Sequence, residues 1–272
     1  MTSPIRTIDV WRNDGPADTD DVAVETPVAL VFNGISHAVM MATPTDLEAF
    51  ALGFALSEGL LGTRAECYGI DVNESEAGIE VQLDVAATAE VRLKELRRTL
   101  AGRTGCGLCG IDSLMRLDLS PEVLAPSPWV SALSADTVQR ALSAMTGRQP
   151  VNAATGACHA AGWADPEGHV LDVAEDVGRH NALDKLLGRR AAAGLANGEG
   201  FVVMSSRASY ELVRKCARLG VPALATISAP TSLAIDIARR AGLVLYGFVR
   251  PGQAVRYSGL HAQARANGPS SA

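Results

Sequence analysis

Hydrophobic and polar positions change period several times along the chain, and each change marks an element. From Glu25, "ETPVALVFNGISHAVMMATP" holds two β-rich runs on either side of Asn33-Gly34, a dipeptide that accepts the positive φ angles of a tight turn, so a hairpin is expected. In "TPTDLEAFALGFALSEGLLG" the apolar residues Leu47, Phe50, Ala51, Phe54 and Ala55 share one helical face, and Thr45 and Glu48 have capping-box spacing. "YGIDVNESEAGIEVQLDV" alternates as a second hairpin with a polar, acidic tip around Asn73 to Gly78. A helix is expected from Thr88 to Leu100, its Arg92, Lys94, Arg97 and Arg98 forming a solvated face. Pro121, Pro126 and Pro128 in "LDLSPEVLAPSPWV" then mark a linker and a domain boundary near 125–133.

The second half alternates more plainly. Strand-like runs at "HVLDVA", "GFVVMSS", "PALATIS" and "LVLYGFV" are separated by helical segments near Asn181–Arg190, Ser209–Leu219 and Thr231–Ala241, with "SADTVQRALSAMTG" as an earlier helix. This order predicts an α/β domain, a mainly parallel sheet with helices on its faces, behind a smaller β-rich α+β domain. In open α/β sheets ligands gather at the carboxyl ends of the strands, where helix N-termini present their amides. The loops expected there are "EDVGRHNALDK", "SSRASYE", "SAPTSLA" and "GFVRPGQ". Arg179 and His180 open one helix, and Ser206, Arg207 and Ser209 precede another, a set suited to phosphate oxygens. A purely structural reading of the same residues makes Asp176 a cap paired with Arg179, His180 a packed histidine and Asp184-Lys185 an exposed pair.

Composition narrows the class. At 272 residues and 47% apolar content the chain can bury one large core or two modest ones. No apolar run approaches the ~18 residues of a membrane span and the N-terminus has no signal-peptide pattern, so a cytoplasmic protein without a membrane partner is expected. A net charge of −6 argues against nucleic acid as a partner. Residues 1–22 and 262–272 read as disordered.

Five cysteines at irregular spacing form no disulfide framework. Cys67, Cys158 and Cys216 are expected to be buried. Cys106 and Cys109 are different, because "GRTGCGLCGIDSL" sets them three apart among the glycines at 102, 105, 107 and 110. Structural zinc needs two further ligands, and the chain has neither a second CxxC nor HxxxH. The deaminase H-x-E with P-C-x-x-C is absent too, and no permanent metal is expected. A thioredoxin-like motif would open a helix after an early strand, whereas this one follows a basic helix. A mobile loop over 102–112 bearing two thiols suits sulfur relay, one cysteine holding a persulfide; a redox sensor on a nucleotide-binding chaperone or regulator is the alternative.

Together, "TGCGLCG", "EDVGRHNALDKLLG", "SSRASYELV", "GFVRPGQ" and the N-terminal "VALVFNGISHAVMMATPTDLEAFALGFALSEGLL" resemble the formate dehydrogenase accessory sulfurtransferase family (FdhD) over roughly residues 24–260. The resemblance implies a sulfurtransferase that takes sulfur from a cysteine desulfurase and delivers it to bis(molybdopterin guanine dinucleotide), a guanine-nucleotide cofactor bound as substrate, before insertion into formate dehydrogenase. It implies Cys106 as persulfide carrier with Cys109 assisting, and Phe248, Val249, Arg250, Pro251, Gly252 and Gln253 as cofactor-binding residues. It also implies a cytidine deaminase-like domain over 131–261, after an N-terminal domain over 23–130; a homodimer is the candidate assembly. The chain departs from the family's common pattern in having Pro251 directly after Arg250 and Val255 two before Tyr257.

Overall fold

The computed structural model describes residues 2–98 and 119–259. The cysteine pair and the expected C-terminal tail lie outside them. The first strands, β1 (Ile5–Trp11) and β2 (Ala17–Ala23), pair antiparallel from Ile5 opposite Ala23 to Trp11 opposite Ala17. Composition predicts disorder for residues 1–22, and this hairpin corrects that expectation. Its strands are poor in apolar residues, and polar cross-strand pairs help to hold them: Thr7 donates to Asp21 at 2.6 Å, and Arg12 meets Asp18 at 3.0 Å and Asp20 at 3.2 Å.

The N-terminal sheet follows. Strands β3 (Thr26–Phe32) and β4 (Ile35–Ala42) join through Asn33 and Gly34, both at positive φ as the dipeptide predicts. After α1 (Leu47–Ser57), strands β5 (Cys67–Ser75) and β6 (Gly78–Val85) make the second hairpin, and α2 (Ala87–Arg98) closes the unit. The strand order is β4-β3-β6-β5, with β3 and β6 parallel. One face carries Val28, Leu30, Phe32, Val81 and Leu83 against Phe50 and Phe54 of α1 and Ala89 and Leu93 of α2.

The capping box at the start of α1 does not form. Asp46 occupies the N-cap at φ 53 with no side-chain cap bond. Its carboxylate instead accepts from Arg189 at 2.5 Å, while the Thr45 hydroxyl accepts from Lys185 at 3.2 Å. Charged partners from the other domain have displaced the local amide that a sequence reading would assign.

The C-terminal unit begins after the proline-rich stretch. It comprises α3 (Ala135–Thr146), α4 (Pro150–Thr155), β7 (His159–Ala164), β8 (Val170–Asp176), α5 (Arg179–Ala192), β9 (Phe201–Met204), α6 (Tyr210–Arg218), β10 (Ala223–Thr226), α7 (Ser232–Ala241), β11 (Val244–Arg250) and β12 (Gln253–Arg256). The N-terminal hairpin rests on α4. Helix α3 starts at Ser134, whose hydroxyl accepts from the Thr137 amide at 3.1 Å. Strand order is β12-β11-β10-β9-β7-β8. Only β9-β10 and β10-β11 pair parallel; β7 runs antiparallel to both β8 and β9, and β12 antiparallel to β11. The sheet is therefore mixed rather than mainly parallel, because β7 and β8 form a hairpin and β11 folds straight back into β12.

Both faces of this sheet are covered, and for that reason its central strands read as unbroken apolar runs. Val202 and Met204 of β9 face α5, α6 and α7, with Leu183, Leu186, Leu212, Val213 and Ile237 packed on them. Phe201 and Val203 face the opposite side, where Val138, Leu142 and Met145 of α3 lie.

The two units meet where α1 crosses α5. A Cβ on Gly53 would stand 1.8 Å from the Asp184 carbonyl oxygen, and one on Gly188 1.8 Å from that of Ala49, so the helix backbones touch directly. Asp184 and Lys185, expected as an exposed pair, are 1% and 0% exposed. They are neighbours in sequence but serve separate clusters. Asp184 accepts from Ser57 at 2.7 Å and from Lys215 at 2.8 Å, and Lys215 also pairs with Glu58 at 2.8 Å. Lys185 pairs with Asp176 at 2.7 Å and donates to the Thr43 carbonyl at 2.9 Å.

Candidate functional site

The edge formed by the carboxyl ends of β8, β9, β10 and β11 gathers the loops that the sequence singles out, and backbone bonds join three of them. The Ser228 amide donates to the Ser206 carbonyl at 3.4 Å, and the Phe248 amide donates to the Ser228 carbonyl at 3.2 Å. Ala208 and Pro230 add a parallel bridge. Because β7 runs antiparallel to β9, its first residue, His159, and the preceding Cys158 arrive at the same edge.

The turn between β8 and α5 is clamped from both domains. One oxygen of the fully buried Asp176 accepts from the Gly178 amide at 2.8 Å and from Asn181 at 2.9 Å; the other takes the Thr43 amide at 3.0 Å and Lys185. The Thr43 hydroxyl accepts from the Val177 amide at 3.1 Å. Lys185, not Arg179, is therefore the charge partner of Asp176, which corrects the structural reading of that loop. Asp176 is buried because four donors compensate its charge. The clamp fixes the first turn of α5, whose N-cap Gly178 carries no side-chain cap, and places Arg179 and His180 at the edge.

His180 faces the next loop. Its Nε2 lies 3.4 Å from the Ser209 hydroxyl and 3.8 Å from the Glu211 carboxylate. Burial works against the ionised Glu211, but hydrogen bonds from His180, Ser209 and its own amide, together with the His180 charge, outweigh it and bring Glu211 down to about 2. His159 is lowered from the usual histidine value, first by burial and then by the positive charges of Arg179 and His180. Arg179 and His180 thus stand where α5 begins, beside the ionised Glu211 in the first turn of α6, and the starts of both helices add their amides to this edge.

The other expected residues are distributed as follows. Ser206 is buried, its hydroxyl donating to the Arg207 carbonyl at 3.1 Å, while Arg207 is exposed. Strand β11 runs to Arg250, past the end of β10, so that the turn Arg250 to Gln253 overhangs the edge with all four residues exposed. The Gly252 amide donates to Gln139 of α3 at 3.0 Å. Phe248 is half-buried at φ 51, in the left-handed region, where the ladder slips between Gly247 and Arg250. The Arg250 guanidinium sits 5.9 Å from its ring. Val249 is wholly buried in the core, so its side chain belongs to packing and not to a ligand surface. Cys106 and Cys109 lie outside the described residues.

Sequence reasoning missed three members of this edge. Thr43 arrives from the other domain, 133 residues before Asp176, with no local signal. Glu211 reads as an ordinary first-turn acid of α6. His159 opens β7 with no local signal of its own, next to Cys158, whose thiol burial raises and whose sulfur lies 3.9 Å from the Thr43 hydroxyl. Among the described residues no cluster of three or more His, Cys, Asp or Glu could hold a metal ion, and no helix is long and apolar enough to cross a membrane.

The comparisons with known proteins agree with one another. The FdhD/NarQ family model matches residues 23–264. The sulfur carrier protein FdhD of Chromobacterium violaceum is 59% identical over 242 residues, covering 89% of each chain. That of Bordetella parapertussis is 54% identical over 243 residues, 88% of this chain and 86% of its own. That of Burkholderia mallei is 53% identical over 252 residues, 90% and 92% respectively. A crystal structure provisionally described as a formate dehydrogenase accessory protein from Desulfotalea psychrophila superposes with a TM-score of 0.67 at 24% identity, covering 93% of this chain and 96% of its own, a likeness of fold. By the family model over residues 23–264 and by these relatives, the chain belongs to the FdhD/NarQ family.

Proposed function

We propose that Cys106 accepts sulfane sulfur from a cysteine desulfurase as a persulfide, with Cys109 assisting its release. The sulfur then passes to bis(molybdopterin guanine dinucleotide) held at the carboxyl edge of the C-terminal sheet. Family membership makes the chain a sulfur carrier and sulfurtransferase of formate dehydrogenase maturation; the residues, the cofactor form and the partners are our reading. The observation that carries it is the joined loop edge, where Arg179 stands at the start of α5 and the starts of α5 and α6 turn their amides to one place. Phosphate oxygens of a guanine dinucleotide suit that charge, and the exposed Arg207 and Arg250 extend it along the edge. Ser206 would contribute through its backbone, since its hydroxyl is turned to the Arg207 carbonyl. The overhanging turn from Arg250 to Gln253, with Phe248 behind it, offers a surface for the guanine or the pterin.

The strand order β8-β7-β9-β10-β11, an antiparallel pair followed by parallel strands with α5, α6 and α7 on one face, supports a cytidine deaminase-like reading of this domain. The cytoplasm, where thiols stay reduced, suits the proposed relay.

Calorimetry with GDP tests the binding half. The wild-type chain is expected to bind GDP, and Arg179→Ala to weaken binding by about tenfold to a hundredfold, the loss of one charge-assisted hydrogen bond at ~1.5–3 kcal/mol. Persulfide loading of Cys106 by a desulfurase should be unaffected. No heat from the wild-type chain at millimolar GDP, or a lowered melting temperature of Arg179→Ala with unchanged affinity in the folded fraction, would overturn the assignment.

A further inference from the structure

The hairpin β1-β2 stands beside the loop edge. It leads into β3, whose first residue Thr26 pairs with Ala42, the neighbour of Thr43, and it rests on α4. The first amides of α4, those of Val151 and Asn152, donate to the Glu175 carboxylate at 3.0 and 2.7 Å, next to Asp176 at the carboxyl end of β8. The Asn152 side-chain oxygen accepts from the Cys158 amide at 3.3 Å. A partner seated on the hairpin therefore lies alongside the ligand edge.

Register divides the hairpin into two faces. Ile8, Val10 and Val22 share one and are half-buried. Thr7, Asp9 and Trp11 share the other, with Asp21, Thr19 and Ala17 opposite them, and all of these but Asp21 are exposed. Trp11 is 67% exposed, whereas Trp163 in the core is 1% exposed. Tryptophan is highly buried on average, and an exposed one on a rigid element is the residue type most often found at the centre of a protein interface. The frame is fixed: Asn13 and Asp14 at φ 51 and 59 close the turn, and the Gly15 amide donates to the Arg12 carbonyl at 3.0 Å. The charged members of the Trp11 face are Asp9 and Asp21, while Arg12 is held by Asp18 and Asp20, whose register places them on the opposite face.

We propose that the face bearing Trp11, Asp9 and Asp21 docks the protein that receives the sulfurated cofactor, apo formate dehydrogenase, through a basic surface at the mouth of its cofactor cleft. The proposal rests on the delivery reading above and adds to it a docking surface. A protein that takes up a dinucleotide must surround the pyrophosphate with cations, so it meets the ligand edge with a positive rim. Acidic side chains beside that edge complement the rim and steer the encounter, and they repel the cofactor itself, which keeps the two sites separate. Trp11 supplies the apolar contact and a ring face for an arginine or lysine of the partner. The desulfurase has to meet Cys106, whereas the acceptor has to meet the cofactor, and it is the cofactor edge that the hairpin flanks.

The test follows association and dissociation of the full chain with purified apo formate dehydrogenase at low and at physiological salt. The wild-type chain is expected to bind, with association slowing as salt rises. Trp11→Ala should weaken the complex about thirtyfold, chiefly through faster dissociation, and Asp9→Lys should slow association about tenfold at low salt and flatten the salt dependence. Both variants should keep the wild-type melting temperature, GDP affinity and rate of persulfide loading by the desulfurase. The proposal is overturned if both bind the dehydrogenase as the wild type does, or if the loss falls on persulfide loading, which would seat the desulfurase on this face. It is overturned too if Trp11→Ala dissociates a wild-type dimer while dehydrogenase affinity holds, which would seat a second copy there, or if both variants lose melting temperature, the face then being scaffold. A wild-type chain that binds GDP but not the dehydrogenase removes the docking surface and leaves the nucleotide site standing; a chain that forms the Trp11-dependent complex but binds no GDP supports the docking surface and removes the nucleotide site.

Discussion

Cys216 sits wholly buried on the inner face of α6, where burial pushes its thiol up to about 12. Burial also raises Cys67 and Cys158. Since the thiolate is the nucleophile, none of the three is equipped to carry sulfur. Brief treatment of the native chain with iodoacetamide near pH 8 should therefore label only the peptide bearing Cys106 and Cys109, as read by peptide mass spectrometry. Rapid labelling of Cys158 would instead make it a rival carrier at the binding edge. The burial of these three cysteines was legible from composition alone, because an isolated free cysteine behaves as a small hydrophobe. The partners of Asp184 were not legible. Ser57 lies 127 residues before it and Lys215 31 residues after it, and nothing in "ALDKLL" distinguishes a buried acid from a solvated one.

Elements with strong periodicity were read closely. Helices α3, α5, α6 and α7 and strands β8 to β11 lie within a few residues of their expected places, because each carries a clear apolar run or face. Strand β7 was missed, since "HAAGWA" has no β-branched residue and its identity comes from pairing with β8 and β9 on either side. The crossing of α1 and α5 depends on Gly53 and Gly188, which an apolar pattern treats as unremarkable helix positions. Gly53→Ala must separate backbones already in contact, so a loss of several kcal/mol and a clear fall in melting temperature are expected. Lys215→Ala, which leaves the buried Asp184 facing Glu58, should cost about 3–5 kcal/mol. Denaturant unfolding of both variants checks this, and a change below about 1 kcal/mol in either would mean that the junction relaxes easily.

At the scale of the whole molecule, the N-terminal domain does more than carry the cysteine segment in its sequence. Thr43 reaches across to the β8-α5 turn, Asp46 and Asp172 both hold Arg189, and Ser57 and Glu58 meet Lys215, so the loop edge is assembled from both domains. Two domains joined this firmly provide a rigid frame for a ligand site, which suits the exact placement that group transfer requires. This joint construction was invisible in the sequence, where the halves read as independent units on either side of a proline-rich linker. The segment between the two, with Cys106 and Cys109, connects α2 of one domain to the chain that covers the other, as Leu124 bonds to the Ala241 carbonyl and Glu122 pairs with Arg218.

The central claim, that sulfur rides on Cys106 and leaves for a cofactor bound at the sheet edge, is tested most directly by following radiolabelled sulfur. The full chain is loaded by a cysteine desulfurase with labelled cysteine, freed of excess donor and mixed with bis(molybdopterin guanine dinucleotide) and the apo form of formate dehydrogenase. The account predicts label on the cofactor recovered from the dehydrogenase and active enzyme with the wild-type chain. It predicts no loading with Cys106→Ala, and loading without delivery with Arg179→Ala. Full dehydrogenase activity supported by Cys106→Ala, or label that reaches the cofactor equally well from the Arg179→Ala chain, would contradict it.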